Sequence, residues 1–121
     1  PSEKLEVSGN IKASGTVSQG SSKEFKKNIA SVSTKDAMNA LNKLNPVRFE
    51  YKTDESGEKH LGFIAEDVPD LVAEQDRKHL NSMDITAVLT KVVQEQQRQM
   101  QEQQKLISTL LNRVKEIEGK I

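Results

Sequence analysis

Serine follows glycine at Gly20 and Ser21, and a lysine stands five positions on, in the run Gly20-Ser21-Ser22-Lys23-Glu24-Phe25-Lys26-Lys27-Asn28-Ile29. A serine hydroxyl becomes a nucleophile when a base takes its proton, and a neutral lysine amine can serve as that base. An exposed lysine keeps its proton to about pH 10.4, so a lysine base needs desolvation or crowding by other cations. Lys23 and Lys27 place cations beside Lys26. The spacing alone fits a solvated basic turn equally well.

Other chemistry is poorly provided for. The chain has no cysteine, which excludes disulfides, thiolate catalysis and zinc–thiolate sites. Its two histidines, His60 and His79, cannot make a His-rich metal site, and His60 reads as a packed or surface residue. Glu66, Asp67 and Asp70 read as a solvated acidic turn. No phosphate loop or nucleotide fingerprint is present, so no cofactor, metal or small-molecule substrate is expected. Lys plus Arg number 18 and Asp plus Glu number 18. The basic stretches are interleaved with acids and lack a stacking aromatic series, so nucleic acid is not an expected partner. No apolar run approaches the roughly 20 residues that span a bilayer. Pro1 opens no signal-peptide pattern, and Pro-Ser-Glu-Lys reads as the start of a piece of a longer chain.

The elements that must position Ser21 and Lys26 come from a lean composition. Of 121 residues 34% are hydrophobic, and the aromatic residues are Phe25, Phe49, Tyr51 and Phe63. That is little for one compact core, and it favours an elongated or oligomeric protein that completes its core at a subunit interface. Residues 1–20 are Gly/Ser-rich, with the hexad at Val7 echoed at Ala13 and with Ile11 matched by Val17. Period-2 apolar spacing with glycine punctuation predicts short strands, the end of a β-rich fibre shaft; a flexible linker is the other reading. Residues 21–82 predict an α+β domain. Ser33 or Thr34 caps a helix over residues 35–44, and Pro46 stops it. Val47, Phe49 and Tyr51 alternate with polar residues as a strand, Asp54 to Gly57 supply a turn, and residues 60–65 return. The expected core is Phe49, Tyr51, Leu61, Phe63 and Ile64, with Leu41 and Leu44 against it.

Residues 83–121 predict one long helix. Leu89, Val93, Gln96, Met100, Gln103, Ile107, Leu110, Val114, Ile117 and Ile121 follow one another at alternating steps of four and three. That is a heptad seam with Val93, Met100, Ile107, Val114 and Ile121 at a, and the others at d. Seven glutamines fall within residues 94–104, two of them as polar layers at d. Polar layers cost stability and can fix register. The mixture of β-branched a and d residues favours a parallel trimer over a dimer, with Arg113 and Glu118 placed for an interchain salt bridge.

Three blocks share one order: Ser21-x4-Lys26-x-Asn28-Ile29, then Leu44-Asn-Pro-Val-Arg-Phe-Glu-Tyr51, then Gly62-Phe-Ile-Ala-Glu66 ahead of a coiled coil. From Ser21 onward the chain resembles the C-terminal intramolecular chaperone and auto-processing domain of phage tailspikes and tail fibres of the endosialidase type. Related domains occur in bacterial surface proteins and in a membrane-bound animal transcription factor. The resemblance implies a homotrimer that assembles its own upstream fibre domain, on a phage tail or a bacterial cell surface. It also implies a Ser–Lys peptidase acting once on itself, with Ser21 as nucleophile, Lys26 as base and Gly20–Ser21 as the scissile bond. Cleaving members carry Ser-Asp where this chain has Ser21-Ser22, a departure that bears on cleavage and not on trimerisation. The alternative is a permanent, non-cleaving trimerisation cap.

Overall fold

The computed structural model describes residues 3–120. The chain divides into two compact units, Pro1–Ala30 and Ser31–Ile121.

In the first unit, residues 3–22 form bends and no strand. The short strands expected around Val7, Ile11, Ala13 and Val17 therefore do not form in a single chain, and Val7, Ile11 and Val17 are exposed. The reason is pairing: two repeats give no strand a neighbour for its backbone N–H and C=O groups, and isolated pairs are marginal in water. One turn of 3-10 helix, Lys23–Phe25, is the regular element of this unit.

The second unit is α+β. Helix α1 (Thr34–Lys43) begins at Ser33, whose hydroxyl accepts the Asp36 N–H at 3.1 Å. The helix ends where Pro46 approaches, because a proline disfavours helical backbone in the residue before it. Strand β1 (Val47–Phe49) pairs antiparallel with β2 (His60–Gly62), in the register Val47 to Gly62, Arg48 to Leu61 and Phe49 to His60. The intervening turn uses the chemistry its residues offer. Asp54 accepts the Ser56 N–H at 2.9 Å, and Gly57 takes a φ of 71°, which a side chain would disfavour. A 3-10 turn, Asp70–Val72, leads through a loop to α2 (Ser82–Gly119), capped by the Asn81 side chain on the Met83 N–H at 3.0 Å. No helix among the described residues is long and apolar enough to cross a membrane.

The core lies where α1, the 68–72 segment and the first turns of α2 meet. Ala37, Ala40, Val68, Val72, Ile85, Val88 and Val92 are buried there, with Met38, Leu41, Leu44, Phe63 and Leu80 packed against them. This corrects the expected aromatic core. Leu41, Leu44 and Phe63 do contribute, but Leu61 is 79% exposed, and Tyr51 and Ile64 are exposed as well. The register is the cause: Leu61 pairs with Arg48 on the opposite sheet face from Phe49 and His60. Phe49, Tyr51 and His60 instead form an aromatic group, with ring centroids 5.1 to 5.7 Å apart.

Candidate functional site

Ser21 and Lys26 are brought together by the short 3-10 turn between them. Ser22 stands at its N-cap, where its hydroxyl accepts the Glu24 N–H at 3.2 Å and its carbonyl accepts the Phe25 N–H at 3.0 Å. The Lys26 N–H closes the turn on the Lys23 carbonyl at 3.3 Å. Folded this way, the turn carries the Lys26 side chain back to residue 21. Lys26 Nζ donates to Ser21 Oγ at 2.7 Å. Two residues on, Asn28 takes a φ of 54°, the left-handed region that asparagine tolerates better than most residues.

The geometry permits proton transfer in one direction only after a change of state. An ammonium has no lone pair, so Lys26 as drawn is the donor. Once Nζ has lost a proton, the same 2.7 Å line can carry the Ser21 hydroxyl proton to it. Gly20, Ser21 and Lys26 are all exposed in the single chain. The desolvation that a lysine base requires is therefore not supplied by this unit alone.

Ser22 and Phe25 are the neighbours that sequence reasoning undervalued. Ser22 does not touch Lys26 but caps the turn that positions it, a role in which Ser and Asp are close equivalents. The Phe25 ring lies against Gly20: a Cβ built on Gly20 would sit 3.1 Å from Phe25 Cδ2 and 3.3 Å from Cε2. A capping residue shortly before a glutamate was a legible signal for Ser22. Nothing in the spacing announced the ring contact.

The expected seam residues lie along α2. Leu89, Val93, Gln96, Met100, Gln103, Ile107, Leu110, Val114 and Ile117 are all exposed in the single chain. Ile121, the last a position, lies outside the described residues. Away from the seam, Arg98 bonds Glu95 at 2.5 Å and Glu102 at 2.5 Å, bracing the glutamine-rich stretch as helix. The guanidinium holds the Glu95 carboxyl below the usual carboxylate range. At the hairpin turn, Asp54, Glu58 and His60 bring ligand atoms within 4.8 Å of one another. The Asp54 carboxylate is already engaged by Ser56, which draws it below its usual range, and His60 packs in the aromatic group.

A family model described as the chaperone of endosialidase, and named as a peptidase family, matches residues 21–77. These residues, just under half of the chain, are similar to that family. The match opens on Ser21 itself and closes on Arg77, so the endosialidase-chaperone segment contains the Ser–Lys contact, α1, the hairpin and the 70–72 turn. The resemblance read from the three sequence blocks is thereby shown, and the family description supports a chaperone role. No curated protein and no solved structure gives a significant match.

Proposed function

We propose that this chain is an intramolecular chaperone that assembles a homotrimeric fibre or surface adhesin and then releases itself by cutting the Gly20–Ser21 bond. The observation that carries this reading is a coincidence at one residue. The endosialidase-chaperone match begins at Ser21, and Ser21 is the residue that Lys26 contacts at 2.7 Å. The partners are two further copies of the chain and the chain's own fibre domain, on a phage tail or a bacterial surface.

Assembly follows from local before long-range contacts. Pairing β strands between three chains is slow and exposes them to aggregation. A coiled coil along the α2 seam forms from local contacts and raises the effective concentration of the three fibre segments. The same trimer covers the α2 seam that a single chain leaves open.

Neutral Lys26 takes the Ser21 hydroxyl proton, and Oγ attacks the Gly20 carbonyl carbon through the small ring closed by Oγ, Cβ, Cα, N and that carbon. The C–O bond forms, the C–N bond breaks, and the departing amine takes the proton held by Lys26. Water hydrolyses the resulting ester, leaving a carboxylate on Gly20 and a free amine on Ser21. Near-contact geometry of roughly 3–3.5 Å is needed at the attacking step, which a folded turn holds and an unfolded chain does not. Losing the chaperone leaves the fibre kinetically trapped, because it can no longer retrace its assembly.

Intact-mass analysis of the purified chain over time is the test, with light scattering to report the oligomer. The expected result is a trimer that cuts between Gly20 and Ser21, with Ser21→Ala and Lys26→Ala each abolishing the cut. Ser22→Asp should cut at least as fast as wild type, since it keeps the cap, and Ser22→Ala should slow the reaction. A trimer that stays whole in wild type and in Ser22→Asp would make the chain a permanent trimerisation cap. A monomer would overturn the assembly reading itself.

A further inference from the structure

We propose that Phe25 is a positioning residue for the self-cleavage, one that admits only glycine at position 20; the proposal rests on the cleavage reading above. The Phe25 ring is 71% exposed, so burial in a core does not explain its placement. It lies instead on the Cα of the residue whose carbonyl Ser21 would attack. The position that a Cβ on residue 20 would take is 3.1 Å from Cδ2 and 3.3 Å from Cε2, closer than ordinary van der Waals contact. A side chain at residue 20 therefore needs the ring to give by a few tenths of an ångström.

Displacing the ring has a chemical consequence because of what Phe25 is attached to. It is the last residue of the 3-10 turn, and Lys26 is the next residue along the chain. The ring on Gly20 and the ammonium on Ser21 thus grip adjacent residues from one short turn, on either side of the bond to be cut. A methyl group at residue 20 pushes the ring, the ring moves the turn, and Lys26 loses its line to Ser21. Specificity for glycine before the nucleophile comes from this contact and not from backbone flexibility alone.

A double-mutant cycle on the assembled protein tests this, with cleavage followed by intact mass. Gly20→Ala should slow cleavage by about tenfold or more, the effect of overpacking a close contact. Phe25→Ala should also slow it, but adding Gly20→Ala to Phe25→Ala should cost no further rate. Equal slowing by Gly20→Ala in both backgrounds would overturn the proposal, as would no slowing in the wild-type background. A second measurement reads the contact without the reaction. In the uncut Ser21→Ala protein, one Gly20 Hα resonance should be shifted upfield by the Phe25 ring current, and Phe25→Ala should abolish that shift. An unshifted Gly20 Hα would remove the contact on which the proposal stands. A wild type that does not cut while the shift is present defeats the cleavage reading, and with it any part Phe25 has in cleavage. A wild type that cuts without coupling between the two positions defeats this inference alone.

Discussion

Arg77 reaches back nine residues to donate from Nη1 to the backbone carbonyl of Val68 at 2.8 Å. Its other terminal nitrogen pairs with the Asp70 carboxylate. Val68 is a core residue, so Arg77 satisfies a polar group at the edge of the buried cluster while it ties the loop before α2 to the 70–72 turn. Arg77 holds a φ of 51° to do so. Arg77→Ala should lower unfolding stability by about 1–3 kcal/mol, since a part-buried carbonyl loses its donor. Urea denaturation is the measurement, and the Asp70→Asn variant should lose much less, because Asp70 is almost fully exposed.

Val72, 1% exposed at the centre of the core, should be the more sensitive hydrophobic position. Val72→Ala is expected to cost about 1–3 kcal/mol from lost burial and the cavity left behind. Leu61→Ala, at the open face of the hairpin, should change stability by less than about 0.5 kcal/mol. A thermal melt of each variant at one protein concentration compares them.

In the proposed trimer, replacing Ile107 and Leu110 together by Asp should separate the three chains while leaving the α1 core folded. Unpaired charges in a bundle seam are costly to bury. Those two residues share no contact with Ala37, Val72 or Val88, so amide protection at the core should survive. Loss of core protection along with the oligomer would show that the two cannot be separated.

Asp76 carries an acid-side dependence. The Lys78 N–H, and then the His79 side chain, hold its carboxyl below the usual carboxylate range. A depressed folded-state value means a stabilising contribution that is complete above about pH 4 and is lost as pH falls through that depressed value. The stability gap between wild type and Asp76→Asn should therefore close as pH falls below about 4. Urea midpoints measured across that range are the check.

Local signals in the sequence carried well into the structure, and contacts between distant segments did not. Ser33 as a cap, the alternation at Val47 and Phe49, the Asp54–Gly57 turn chemistry and the long helix after Asn81 all depend on neighbours in sequence, and each is where its residues point. The core was misjudged because it is built from small residues. Ala37, with Leu41 and Leu44, was legible as one helix face, but Val68 and Val72 lie in a segment without regular periodicity, while the larger Leu61 and Tyr51 pointed to a sheet face that stays open. Strands of three residues give alternation too little length to settle which face is inward. At the candidate site, the pairing of Ser21 with Lys26 was legible as a spacing. The Phe25 ring on Gly20 was not, because it depends on the path of a single turn.

Val92 and Val93 are neighbours on α2 with opposite surroundings: Val92 is buried in the core cluster, and Val93 is 60% exposed on the expected seam. The first turns of the helix thus pack into the core of their own chain, whereas residues 96–119 contribute no residue to that core and are braced by local pairs such as those of Arg98. Helices without tertiary support are marginal in water. On the trimer reading, the molecule contains its own concentration gauge. On dilution the far end of α2 should fray first, and far-ultraviolet ellipticity should fall toward a plateau set by α1 and the start of α2. The height of that plateau measures how much of the helix a lone chain can hold.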